Sequence, residues 1–308
     1  MTIQLATKDF PTSTSPKGRE QVADVCMGVD LSLLGAVSAE AFDSFGADLP
    51  VEYANYPQLA SCAYAANRGG VDFVSLKMSF RSRSDAPSEL DAVRVASRLT
   101  MQDEIGVSAE VPADVEAIDE AIGILSEPSK GWTALITRLT AASDIAMIAK
   151  AAERAKARGL RLNVKIRPED LAHHDIASIV SFAESVRLLT DDPHGAREAR
   201  FALRSAAAEL GRDLCVLAEI GIVISGSMAA ANERALLVEA MTGAPVFEGK
   251  PSVIGTVYDA ADVVERWIGL GAADGIVFLP ASLPTDLASV IRGVLPLLNA
   301  RGAESQRV

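Results

Sequence analysis

Leu160–Pro168 reads LRLNVKIRP, and the alternation in these nine residues decides the fold. Successive side chains of a strand point to opposite faces. Leu160, Leu162, Val164 and Ile166 therefore form one face, and Arg161, Asn163, Lys165 and Arg167 form the other. Helical patterns flank the strand, ASDIAMIAKAAERAKARG before it and DLAHHDIASIVSFA after it. A parallel sheet covered by helices follows from that order. The aliphatic face packs beneath the helices, and the cationic face turns into the interior of a closed sheet. Lys165 and Arg167 then stand near the C-terminal mouth, where barrel active sites are built.

Working outward, the same strand-and-helix unit recurs in both directions. Strands are predicted in Val22–Asp30, Val71–Ser79, Ile105–Val111 and Trp132–Leu139 before the central one, and in Ser185–Asp191, Leu214–Ile224 and Ile276–Pro280 after it. Helical segments separate them, and PTDLASVIRGVLPLLNARG supplies the last. Eight strands and eight helices make a (β/α)8 TIM barrel. Gly159, Gly211 and Gly271 each follow a helical run, as left-handed C-terminal caps do. A doubly wound open sheet has the same alternation, but its usual markers, a GxGxxG turn after the first strand or a Walker loop, are absent.

The bulk composition fits one large globular unit: 308 residues, 49% hydrophobic and 23% charged. Residues 1–20 mix charge with Thr, Ser and Pro and read as a polar arm, leaving residues 21–308 as a single barrel domain. A net charge of -12 argues against a grip on nucleic-acid phosphates, which needs many cations. Cys26, Cys62 and Cys215 lie far apart, with no CxxC pair and no zinc spacing, so no metal is expected and a reducing compartment suits the chain. With no signal-like h-region and no apolar run of about 20 residues, a cytoplasmic protein with no membrane segment is expected.

The same face assignment, strand by strand, directs Asp30, Ser75, Lys77, Ser108, Glu110, Arg138 with Thr137 beside it, Arg187 or Thr190, and Glu219 to the barrel interior or mouth. Lys77, Arg138, Lys165 and Arg167 set against Asp30, Glu110 and Glu219 would hold an anionic cofactor or substrate, or would simply pair with one another. Adjacent His173 and His174 point in different directions on a helix and make no two-histidine metal face. His194 reads as a solvated loop residue that reaches the mouth only if the turn allows. No residue stands out as a catalytic acid, base or nucleophile. Met27, Met78, Met101, Met147, Met228 and Met241 read as gap-filling core residues.

The closing stretch Val253–Gly302 resembles the luciferase-like flavin monooxygenases, especially the branch acting on nitrilotriacetate and dibenzothiophene sulfone. Gly255, Thr256, Ala260, Asp262, Gly271, Asp274, Gly275, Pro296, Leu297, Arg301 and Gly302 fall on that pattern. Glu89–Val111, Ile124–Thr137 and Gly211–Ile224 resemble the family's third, fourth and seventh strand regions, in the same order. The resemblance implies a luciferase-like barrel, FMN or F420 as cofactor, a small-molecule organic substrate and a homodimer. It places Ser108, Thr137 and Arg138 along the flavin ring or its polar tail, and Lys165 with Arg167 at the phosphate.

Two departures stand beside it. The fifth strand of the family ends in a small Gly-Ser loop that receives the flavin phosphate, whereas here KIRPEDLAHH puts Pro168, Glu169 and Asp170 there. Thr133 replaces the family's asparagine in GWTALIT. Three readings follow: a flavin-dependent oxidoreductase or monooxygenase; a luciferase-like barrel without flavin that serves as a partner or ligand-binding subunit; and a barrel lyase with Lys165 as Schiff-base nucleophile.

Overall fold

The computed structural model describes residues 25–32, 56–81, 88–243, 245–247 and 249–305; the arm expected over residues 1–20 lies outside them. The strands are β1 (Cys26–Asp30), β2 (Phe73–Leu76), β3 (Gly106–Val111), β4 (Trp132–Arg138), β5 (Arg161–Ile166), β6 (Ser185–Leu188), β7 (Cys215–Ile224), β8 (Ser252–Gly255) and β9 (Gly275–Pro280). All pair in parallel. β1 to β7 are neighbours in sequence order, β7 pairs with β9, and β9 pairs with β1, which closes a ring of eight. The fold is a (β/α)8 barrel.

Between the strands lie α1 (Tyr56–Arg68), α2 (Asp91–Gln102), α3 (Val115–Leu125), α4 (Ile145–Ala157), α5 (Pro168–Leu171), α6 (Ile176–Phe182), α7 (Pro193–Glu209), α8 (Met228–Thr242) and α9 (Val257–Gly269). A final helical run comprises α10 (Thr285–Ser289), a π turn at Val290–Val294 and α11 (Leu295–Ser305). Asp114, Asp144, Asp175, Asp192, Ser227 and Thr256 cap their helices by accepting backbone N–H bonds, each worth about 1 kcal/mol. Gly159, Gly211 and Gly271 take φ of 75°, 65° and 69°, the cap conformation that the sequence implied.

Alternation sorts each strand into two environments. Val29, Val74, Val107, Leu135, Val164, Val186, Ala218 and Ile276 belong to the core shared with the helices. The opposite face builds a smaller inner cluster of Cys26, Phe73, Cys215, Leu217, Val277 and Leu279, with Trp132 against it. Space for the rings comes from facing glycines: a Cβ on Gly28 would sit 2.5 Å from Phe73, and one on Gly106 would collide with the Trp132 indole.

One helix and one strand, α8 and β8, go beyond the eight units that the sequence pattern predicts. β7 is ten residues long and uses one edge twice: Cys215 to Ala218 pair with β6, and Gly221 to Ile224 pair with β8. β8 thus stands outside the ring of eight. The methionine expectation is also corrected: Met27 is buried, but Met78, Met101, Met147, Met228 and Met241 are 40% to 61% exposed.

Several residues that carry the family resemblance turn out to hold the frame. Thr256 and Asp259 form a reciprocal capping box, and a Cβ on Gly255 would press on that carboxylate at 2.7 Å. Asp274 accepts hydrogen bonds from Arg200, from Arg204 at 2.7 Å and from the Val216 backbone N–H at 2.9 Å, locking α7 onto β7 and β9. Arg301 bridges Asp262 and Glu265 at 2.7 and 2.8 Å. Asp274→Ala is expected to lower unfolding free energy by about 3 kcal/mol in urea melts, because two guanidiniums and a backbone donor lose their acceptor together.

Candidate functional site

The barrel registers place four interior residues from alternate strands at one level. From Asp30 the partners run Asp30 to Ser75 to Ser108, and Glu110 lies two residues further along β3. Glu110 to Ile136 to Asn163 then leads to Lys165, Lys165 to Arg187 to Leu217 leads to Glu219, and Glu219 to Val277 to Gly28 returns to Asp30. Each of four steps advances two residues, which gives the stagger of about eight that closes such barrels. Asp30, Glu110, Lys165 and Glu219 form this layer in place of the usual aliphatic residues.

The layer is an ion cluster. The Lys165 ammonium, 3% exposed, lies 2.9 Å from Glu110 Oε2 and 3.0 Å from Glu219 Oε1. Arg187, from β6, donates to Ser75 Oγ at 2.7 Å, lies 3.6 Å from Glu219 and stacks over Phe73 at 5.4 Å. Towards the mouth, Lys77 approaches Asp30 Oδ1 at 3.7 Å, and its backbone N–H donates to Ser32 Oγ at 2.7 Å. Asp30 Oδ2, Arg187 Nε and Glu219 Oε1 are buried with no hydrogen bond of good geometry.

Charge states follow from these contacts. Burial opposes the Lys165 ammonium, but Glu219 and then Glu110 outweigh it and raise its pKa above the ordinary lysine value. Burial pushes the Glu219 carboxyl up, and Lys165 with Arg187 more than reverse that, bringing it to about 2. Both groups are charged at neutral pH. A protonated, doubly paired lysine is no amine nucleophile, so the cluster argues against the Schiff-base reading of Lys165.

Loop 243–251 adds a residue that the sequence did not flag. The Phe247 ring packs into both the inner cluster and the α8 side, filling the space left by the missing Cβ of Gly221. Phe247 adopts φ of 61°, rare for a side chain branching from Cβ to a ring. The Gly221 N–H donates to Pro251 O at 2.8 Å, so Lys250 is carried to the mouth two residues beyond Glu219. Lys250 is exposed as a residue, yet the protein crowding its ammonium, and after that Lys77, lower its pKa. No periodicity predicts this, since the loop is positioned by a long-range contact.

Of the five residues assigned to a flavin, Ser108, Arg138 and Lys165 share the interior face, with Arg138 beside Lys165 in register, while Thr137 and Arg167 do not join them. Ser108 and Lys165 lie on the interior face and are buried. Arg138 shares that face but is exposed at the end of β4, while Thr137, fully buried, lies on the helix-facing side with Leu135. Arg167 is exposed past the end of β5, 3.8 Å from Glu169. Pro168 opens α5, whose first turn carries Glu169 and Asp170. A flavin phosphate does not fit at this strand end: Lys165 is neutralised by two carboxylates, and the first helical turn is acidic. His173 and His194 are exposed, and His194 sits in the first turn of α7. Among the described residues no group of three His, Cys, Asp or Glu is placed to hold a metal, and no helix is long and apolar enough to cross a membrane.

No protein-family model and no curated protein matches the chain. Solved structures do. EDTA monooxygenase from Chelativorans sp. BNC1 superposes with a TM-score of 0.64 at 14% identity, covering 90% of this chain and 94% of that one. The (β/α)8 barrel is the fold this chain shares with it. Riboflavin lyase, solved with modified FMN and riboflavin, matches with a TM-score of 0.61 at 14% identity over 90% of this chain and 92% of that one. The coenzyme F420-dependent tetrahydromethanopterin reductase from Methanopyrus kandleri matches with a TM-score of 0.57 at 11% identity over 89% and 99%.

The acid branch of the stability profile tests the cluster. Because folding lowers the Glu219 pKa from 4.5 to about 2, its contribution is complete above about pH 4.5 and is lost as pH falls towards 2. Lys165, raised by folding, contributes fully below its ordinary value and loses that contribution as pH rises through the higher one. Glu219→Gln should flatten the denaturation midpoint against pH between pH 4.5 and 2. Lys165→Met, which strands two carboxylates, should cost about 3 to 5 kcal/mol at pH 7. Equal acid slopes in wild type and Glu219→Gln would contradict the assignment.

Proposed function

We propose that the chain is an oxidoreductase of the luciferase-like kind that uses FMN or F420 on a small organic substrate. The observation that carries this reading is the likeness over about nine-tenths of both chains to a riboflavin lyase solved with modified FMN and to an F420-dependent reductase. A barrel lined at its centre by Asp30, Glu110, Lys165, Glu219 and Arg187 supports it, because such an interior favours a polar ligand over a filled aliphatic core. In this reading the cofactor supplies the redox chemistry, and the protein positions the substrate and excludes water. The catalytic acid or base stays unassigned. A homodimer remains the expectation carried by the resemblance, and a cytoplasmic location the one drawn from the sequence.

The closed end of β5 favours a second reading, a barrel of this fold that binds a ligand without flavin. Pro168, Glu169 and the paired Arg167 stand where a phosphate-accepting loop was expected.

Titration of the purified chain with FMN, reduced FMN and F420, followed by cofactor fluorescence and melting temperature, separates the two. A cofactor that binds the native state must raise the melting temperature, by about 2.7 kcal/mol of stability at a hundredfold excess over Kd. The oxidoreductase reading expects such a rise for at least one of the three. A flat response to all of them eliminates it.

A further inference from the structure

We propose that Lys77 and Lys250 form an oxyanion-binding point at the barrel mouth, taking the carboxylate or phosphate group of the ligand that enters there. The site rests on three features of the described residues. First, both lysines are fixed by their backbones: Lys77 by the Ser32 hydroxyl that joins β1 to β2, and Lys250 by its own N–H bond to the Phe247 carbonyl at 3.0 Å and by the bond from Gly221 to Pro251, beside the half-buried ring of Phe247. The loop keeps Phe247 at positive φ, a strain that its packing on Gly221 offsets, so the Lys250 backbone is held at the mouth by a specific arrangement.

Secondly, neither lysine is neutralised as Lys165 is. Lys77 reaches Asp30 only at 3.7 Å with a side chain 27% exposed, and among the described residues Lys250 has no carboxylate within ion-pair distance. Among the described residues, Lys77, Lys165, Arg187 and Lys250 stand with Asp30, Glu110 and Glu219 at this end of the barrel, in a chain whose overall charge is -12. Two lysines without a close carboxylate partner attract small anions in a protein whose surface is otherwise acidic. Thirdly, the Asp30 carboxylate beneath Lys77 keeps one oxygen without a hydrogen bond, which suits a ligand whose anionic group is accompanied by a hydroxyl, amide or ring N–H donor. Burial of the Lys250 ammonium and, after it, the Lys77 charge lower its pKa, and an anion bound here would oppose both effects.

The proposal deepens the functional reading above without requiring flavin. Its test uses the full chain at fixed ionic strength, with chloride replaced stepwise by inorganic phosphate or by succinate. The wild type should show a saturable rise in melting temperature. Lys77→Gln and Lys250→Gln should each weaken the apparent affinity by roughly tenfold or more, the share of one charge-assisted hydrogen bond. Lys150→Gln, on the exposed side of α4, should leave it unchanged. Lys250 lies in a loop outside the barrel, so its variant keeps the test open if the Lys77 variant folds poorly.

FMN and riboflavin, which differ by the phosphate, distinguish the source of the oxyanion. A preference for FMN that disappears in Lys250→Gln assigns the group to the cofactor. Lysine-dependent phosphate or succinate binding with unchanged flavin binding assigns it to the substrate. If no flavin binds while the anion response still depends on both lysines, the oxidoreductase reading fails and the anion site stands. An anion response that is absent, or equal in wild type and both lysine variants, overturns the proposal.

Discussion

The contact of Lys165 with Glu110 and Glu219 constrains the rest of the molecule. A lone ammonium inside a barrel would lose its hydration without return, and the two carboxylates would do the same. Together they are tolerable only if β3, β5 and β7 bring their side chains to a common level, and that requires a closed sheet with a stagger of about eight. An open sheet would separate the three charges. The cluster is therefore a specification for closure, and it leaves an interior suited to polar ligands.

Around it, the barrel divides labour by height. The floor is apolar, with Phe73 and Trp132 accommodated by Gly28 and Gly106. The middle is ionic, with Arg187 bridging from Ser75 to Glu219. The rim carries Lys77, Arg138 and, through the loop anchored by Phe247, Lys250. A ligand descending from the rim thus meets positive charge first and hydrogen-bonding acceptors beneath it. The residues that made the sequence look familiar act elsewhere: Asp274, Arg301 and the Thr256–Asp259 box fasten helices to the sheet. They speak for the frame more than for the chemistry, which is why the likeness fixes the barrel more firmly than the cofactor.

Local periodicity made much of this legible. The eight barrel strands, their inward faces and the three glycine caps follow from side-chain alternation and backbone geometry, which are properties of short segments. Asp30, Ser75, Glu110 and Glu219, and Arg187 as one of two candidates on its strand, were directed inward by that rule; Asp30, Ser75, Arg187 and Glu219 are buried, and Glu110 is half-buried against Lys165. The rule weakens past strand ends. Arg167 has the right parity but lies beyond Ile166, where the chain turns into α5, so it meets Glu169 and solvent. Thr137 sits one residue off the interior face. β8 carries no signal because its four residues are too few for a pattern and gain their structure from the second half of β7, and α8 because its apolar residues are spread around the helix rather than on one face.

By itself, the sequence determined the barrel, the order of its units and the faces of its strands, because those depend on spacings of two and about 3.6 residues that are written locally. Only the tertiary structure decided which charges meet. Lys165 is consumed by Glu110, 55 positions away, and by Glu219, while Lys250 reaches the mouth through a glycine on another strand. Electrostatic energy depends on distance in space, and distances across a barrel are set by closure and stagger, which no single segment encodes.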